Sequence, residues 1–379
     1  MATITKTIGT SSRDYSTIVA WEADLSDGDV YSDADDAVGV MYADSPFTDA
    51  TVTINGGNDI GGSSGQNLSS ITLTVVAASR HDGTAGSGAL LKPTTASGHD
   101  QGVIRIDRDD VTIEWLDIDM DNDDDFTTAD TRNTNKAIVL TGTNDNCIIR
   151  NMLIHDKYGN PGSNGLFMIH SIAAGGSSDT ISILNNIIYN IVETTDDTSS
   201  AININGWQGT VNIYNNTVYN IESDDSGSSK SATAYRYNGH ANQQANVKNN
   251  IAAKMVADTA SYKRAFWDTG TGTANEDYNL SDDTISTAAY KATGSNSLPD
   301  QTLAQIDFVA TGVGTEDLHL NTSSVAIDEG VDLGTTNGVN IDINQRDRDS
   351  EGDTWDIGAH EFGDLVAGTT GAAFLLFLD

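Results

Sequence analysis

Val211-Asn212-Ile213-Tyr214-Asn215-Asn216-Thr217-Val218-Tyr219-Asn220-Ile221 nearly repeats Ile181-Ser182-Ile183-Leu184-Asn185-Asn186-Ile187-Ile188-Tyr189-Asn190-Ile191. Ala245-Asn246-Val247-Lys248-Asn249-Asn250-Ile251-Ala252 is a weaker copy. Self-similarity at a period of a few tens of residues implies stacked units, each burying its apolar face against its neighbours. With the second Asn of each phrase as the register mark, Asn186, Asn216 and Asn250 align. Asn151 and Leu116 take the same place upstream, giving steps of 35, 35, 30 and 34 residues along the chain.

Local pattern decides between helices and strands. Val111 and Ile113, Ile181 and Ile183, and Val211 and Ile213 alternate with other residues, the period of a strand. Ile118, Leu153, Ile188, Val218 and Ala252 fall in one row two residues after the mark. β-branched and Asn-rich runs broken by Gly, Ser and Asp suit strands and turns. The expected fold is all-β, a single-stranded right-handed parallel β-helix, or solenoid. Asn151, Asn186, Asn216 and Asn250 are expected to form a structural ladder of side-chain amides. The polar stretches Asp119–Lys136, Glu193–Ser200 and Ser223–Ala232 read as loops on one face.

A solenoid needs caps at its ends. Between Arg13 and Leu25 the chain has a helical pattern with Ile18, Trp21 and Leu25 on one face. Ser16 with Val19 gives only a partial capping signal. The expected organisation is an N-terminal cap at 1–30, the solenoid with its closing segment at 31–362, and a tail at 363–379. The tail ends in an apolar run, Ala372-Ala373-Phe374-Leu375-Leu376-Phe377-Leu378, read as a last strand or as an element docking on a partner or symmetry mate.

The 379 residues carry 55 Asp plus Glu against 19 Lys plus Arg, a formal net charge of −36. Such a surface repels nucleic acid and anionic membranes. It also disfavours acidic polysaccharide unless a basic groove exists, and the scattered Lys and Arg show none in the sequence. The one cysteine, Cys147, allows no disulfide within the chain and is expected to be an inert, small side chain. No run approaches the ~20 apolar residues of a membrane span. The N-terminus lacks the apolar core of a signal peptide. An extracellular-looking surface without an export signal leads to the expectation of a virion protein.

Ser324-Val325-Ala326-Ile327-Asp328-Glu329-Gly330, the acidic loop from Asp342, and Asp356-Ile357-Gly358-Ala359-His360-Glu361 form a distinctive group near the end. Together they resemble the closing segment of right-handed β-helix repeat proteins of the pectate-lyase-like superfamily. Val325 stands where that family commonly has Pro, and His360 where it has an aromatic residue. The close match covers about forty residues. It implies a fold, and because the superfamily includes lyases, hydrolases, adhesins and phage spikes it leaves activity open.

Candidate chemistry is sparse. Asp347, Asp349, Glu351 and Asp353 space carboxylates like the first half of a calcium loop, so calcium is the one cofactor the sequence would admit. Gly358 occupies the twelfth position, where that loop needs a bidentate Glu. Asp117 and Asp119 flank core Ile118 and face outward together, at a spacing glycosidases use. His155 falls in a row with Met120, Asn190, Asn220 and Lys254, with no carboxylate in that row to orient its ring. Asp117, Asp119 and His155 are thus the catalytic candidates if the chain is an enzyme. His81, His99 and His170 read as isolated turn or surface residues.

The resulting expectation is a non-enzymatic structural protein of a virus particle, a phage decoration, fibre or spike component that assembles as a homotrimer or lattice through its tail. It would mediate assembly or attachment, with virion proteins, itself or a host-surface glycan as partner. The alternatives are an extracellular polysaccharide lyase or glycosidase, and a bacterial adhesin.

Overall fold

A computed structural model describes residues 2–44, 46–49, 51–94, 102–121, 135–142, 144–159, 165–172, 175–194, 197–204, 206–223, 230–350 and 354–363. Strands recur in a three-beat order and stack coil upon coil into a parallel β-solenoid. Sheet A has nine strands, beginning at Thr3–Ile8 and Asp36–Met41 and ending at Gln244–Lys248 and Thr273–Asp277. Sheet B has eight, among them Asp117–Asp119, Leu153–Tyr158, Ile187–Glu193, Thr217–Ser223 and Ile251–Ala257. Sheet C has seven, from Val52–Ile54 to Lys263–Asp268. Every pairing within these three sheets is parallel, as in Ile183↔Ile213 and Ile188↔Val218.

Period-two alternation turns one row of each sheet inward. Ile149, Ile183, Ile213 and Val247 line the interior from sheet A, and Ile118, Ile154, Ile188, Val218 and Ala252 from sheet B. Sheet C adds Tyr235 stacked on Phe266, ring centroids 5.0 Å apart. Cys147 belongs to the inward row, and burial pushes its thiol up to about 12.

Two residues turn the corner from sheet A to sheet B, and in three coils both are Asn: Asn185-Asn186, Asn215-Asn216 and Asn249-Asn250. The first of each pair sits at positive φ, 54°, 55° and 56°, where Asn is the side chain best tolerated after Gly. The second forms the ladder. Asn186 Nδ2 donates to Asn216 Oδ1 at 2.9 Å, Asn216 to Asn250 at 3.0 Å, and Asn250 to Asn279 at 3.0 Å. Each of these amides also donates to a carbonyl of the preceding coil, Ile149, Ile183 and Ile213 respectively.

Asn151 is not a rung of that ladder. The register pairs Arg150 with Leu184 and Leu153 with Ile187, so Met152 faces Asn186, and Met152 N–H donates to Asn186 Oδ1. Asn151, φ 52°, belongs to the left-handed row with Asn185. The interior row likewise holds Ile154, while Leu153 points outward.

At the start of the solenoid helix α1, Ile18–Ala23, is capped by Thr17, whose side chain accepts from Ala20 N–H. Ile18, Trp21 and Leu25 are buried as the helical pattern required. Gly39, on the second strand of sheet A, makes room for the indole. A Cβ there would stand 2.7 Å from the Trp21 ring.

The closing segment does not plug the far end. After α2, Leu303–Ile306, and an antiparallel pair, Phe308–Ala310 with Asp317–Leu320, the chain returns along the outer face of sheet B. Ile306, Phe308, Leu318, Leu320, Ile343, Ile357 and Ala359 pack on outward-facing Leu153, Ile187, Tyr189, Tyr219 and Ile251. The left-handed Asn row holds it laterally. Asn151 Nδ2 donates to the carbonyls of Ile341 and Asp342, Asn185 to those of Val339 and Ile341, and Asn215 to that of Val339. Asn249 Nδ2 donates to Val331 O, and its Oδ1 accepts from Val331 N–H.

Candidate functional site

The outward row of sheet B carries the predicted candidates, and the structure draws two of them together. His155 Nε2 donates to Asp117 Oδ1 at 2.8 Å, and Nδ1 donates to Asp156 Oδ2 at 2.9 Å. Burial alone would strip the imidazole of its proton. The hydrogen bonds and charges of the two carboxylates reverse that and raise its pKa to about 10. The absence of an orienting carboxylate, expected from sequence, is therefore overturned. The one-residue register shift places His155 beside Tyr189 and puts Asp156 in the row of Asn190. The Tyr189 ring stacks on His155, centroids 5.3 Å apart and 12° from parallel.

The network continues into the closing segment. Asn190 Nδ2 donates to Asp156 Oδ1 and to Glu316 Oε1, and Asn220 Nδ2 donates to Asn190 Oδ1. Asp117 Oδ2 accepts from Gly86 N–H, and the residue is fully buried. Asp119 instead pairs with Lys92, 2.8 Å. The two carboxylates do face one side of the strand, but each has its own cationic partner and they do not converge on a common space.

His81, expected at the surface, is fully buried. Its Nε2–H donates to Asn151 O and its Nδ1 accepts from Gly83 N–H, which fixes a neutral tautomer. His170 is half-buried on sheet C, stacked with Phe167 at 4.8 Å. His99 lies outside the described residues. In the closing segment, the His319 and His360 rings meet edge to face at 4.5 Å. Burial lowers the pKa of His319, and the hydrogen bond and charge of Asp317 outweigh it and raise the pKa above the usual histidine value. His360 Nδ1 accepts from Leu320 N–H, and burial drives its pKa down to about 2.

Of the calcium-loop candidates, Asp347 Oδ1 accepts from Asn340 Nδ2 and Asp349 N–H, and Asp349 Oδ1 accepts from Trp355 Nε1. Glu351 and Asp353 lie outside the described residues. Among the described residues, no group of three or more His, Cys, Asp or Glu is placed to hold a metal ion. The resembling motif has an internal role: Asp342 accepts from the N–H groups of Asn344, Arg346 and Glu361, Asp356 from Asp328 and Phe362, and buried Arg348 pairs with Glu361.

Sheet C holds a constellation that sequence reasoning missed. Its seven strands carry Arg105, Arg236, Lys263 and Arg264 but a single carboxylate, Asp268. The register sets Arg236 beside Trp267 and Thr233 beside Arg264. Both guanidinium groups lie over one indole, 4.2 Å (Arg236) and 3.6 Å (Arg264) from its centroid. Tyr290 packs edge-on to Trp267 and takes a second cation–π contact from Arg264 at 4.7 Å. The spacing of 28 residues between Arg236 and Arg264 departs from the steps of the Asn mark, so the scattered arginines gave no sign of convergence.

A cleft of about 820 Å³ opens on sheet B beyond the closing segment, lined by Tyr158, Glu193, Asn220, Glu222, Lys254 and Val313 among others. None of the predicted catalytic residues lines it. No described helix is long and apolar enough to cross a membrane. Compared with known proteins, the chain matches no family model and none of the curated proteins.

Proposed function

We propose that the chain is a non-enzymatic structural protein of a virus particle, a decoration, fibre or spike component built on a solenoid of the pectate-lyase-like kind. One observation carries most of the weight. The imidazole–carboxylate constellation, the best candidate for chemistry, is buried under the closing segment and bonded to it through Asn190 and Glu316. A general acid or base must reach a substrate proton, and His155, about 3% exposed, reaches only its own chain. The strongly acidic surface suits a scaffold that stays soluble at high local concentration. The resemblance of the closing segment to a superfamily that includes phage spikes supports the reading by analogy.

The reading includes self-association into a trimer or lattice, read by light scattering. Its direct test is fractionation of the source culture into particles, cell envelopes and supernatant, probed with an antibody to this chain. Recovery with the particles is expected, and recovery with cell envelopes alone would replace this reading with the adhesin.

A further inference from the structure

We infer that Arg236 and Arg264 form a binding site for the oxyanion of an acidic ligand, a carboxylate or a phosphate, on the outer face of sheet C. This inference stands apart from the particle reading, because it concerns a site and not an assembly.

In a chain of net charge −36, an arginine finds a carboxylate readily. Arg13, Arg150 and Arg348 do so, with Asp44, Glu114 and Glu361. Arg236 and Arg264 do not: among the described residues neither forms an ion pair with Asp or Glu. Each has the other cation near it, and burial together with that like charge disfavours the Arg236 proton. Two cations held beside one ring, in a protein with carboxylates to spare, need an explanation other than packing convenience.

Aromatic faces offset part of the cost. Trp267 and Tyr290 attract guanidinium through their ring quadrupoles, and the Tyr290 hydroxyl accepts from Arg264, but neither ring brings a counter-charge. Arg264 Nη1 also reaches Ser231 Oγ, at a long 3.4 Å. The Nε atoms of both arginines are buried without a hydrogen-bond partner, and Arg264 is more than nine-tenths buried. Buried, unsatisfied donors on a cation are disfavoured strongly. A planar oxyanion accepting from a guanidinium edge supplies acceptor and counter-charge at once.

The neighbouring row adds no competing negative charge. The outward residues in the same row on earlier coils are Asn203, His170, Val139 and Arg105, none acidic. Asn203 and Val139 are buried, so the accessible part of this face is the Arg236–Trp267 end. Arg236 and Trp267 are partly exposed, so the site opens to solvent.

The test uses the full chain labelled with ¹⁵N, watching the arginine Nε–H resonances while inorganic phosphate or a uronic-acid tetrasaccharide is added. Saturable shifts confined to Arg236 and Arg264 are expected, together with an at least tenfold loss of affinity by calorimetry in Arg236→Gln and Arg264→Gln. Arg13→Gln, at the far end of the solenoid, should bind like the parent. A response to phosphate alone assigns a phosphate ligand, and a response to the uronide alone assigns an acidic glycan. No saturable shift with either probe overturns the inference without recourse to any variant. Undiminished affinity in folded Arg264→Gln overturns it as well.

Discussion

His155 donates to Asp117 across 2.8 Å, from one coil to the coil before it, although the two residues are 38 positions apart in the chain. With Asp156 on its other nitrogen, the imidazole is a cationic rivet between coils, and Asn190 links Asp156 to Glu316 of the closing segment. Four consequences can be measured.

The histidines give stability a maximum near pH 6.5. The folded pKa of His155 is raised to about 10 from 6.5, so its contribution is complete below pH 6.5 and is lost as pH rises toward 10. His360, lowered to about 2, works on the other side. Below pH 6.5 the unfolded chain takes up a proton that folded His360 refuses, so stability falls with acidification. Urea unfolding at a series of pH values isolates each limb as the difference between parent and variant, His155→Gln for the alkaline one and His360→Gln for the acid one. The difference is needed because the raised pKa values of Glu361 and Asp356 favour the folded state on acidification and oppose the acid limb.

Asn216→Ala should destabilise the solenoid by about 3 kcal/mol in urea unfolding. It strands the buried Asn186 N–H and the carbonyls of Ile183 and Tyr214. Asn212→Ala, on the outer face of sheet A, should cost less than about 1 kcal/mol, since its partners there are partly exposed.

The left-handed row behaves differently. Asn215→Ala loses the bond to Val339 O and keeps a positive φ that Ala resists. Asn215→Gly loses the same bond without the backbone strain, so it should be about 1 kcal/mol more stable than Asn215→Ala. Hydrogen exchange should show the loss concentrated in residues 331–342 for both.

Gly358→Ala should loosen the closing segment. At φ 109° the new Cβ would lie 2.7 Å from Ile251 Cδ1 and 2.9 Å from Thr217 Oγ1. An overpacking penalty of about 1–3 kcal/mol is expected, read as faster proteolysis C-terminal to residue 303 with the coils intact.

The repeat made the architecture readable because period two and the Asn doublet are local signals. The one-residue error at Asn151 has a physical origin. The coil there reads Arg150-Asn151-Met152, with one Asn where later coils have two. The left-handed position favours Asn on backbone grounds, while the first ladder rung tolerates Met because its backbone N–H still donates to Asn186 Oδ1. A lone Asn is therefore the first of the doublet. Taking it as the second displaced His155 by one row and hid its carboxylates. The lateral docking of the closing segment and the meeting of Arg236 with Arg264 depend on contacts far apart in sequence, and no local pattern encodes them.

The central claim is that Asp117 and His155 serve architecture. The most direct test incubates the parent, Asp117→Asn and His155→Gln with neutral and acidic polysaccharides, following reducing ends and unsaturated products, with melting curves recorded in parallel. The account predicts no product from any of the three and a lowered Tm in both variants. Product released by the parent and abolished in variants of unchanged Tm would contradict it.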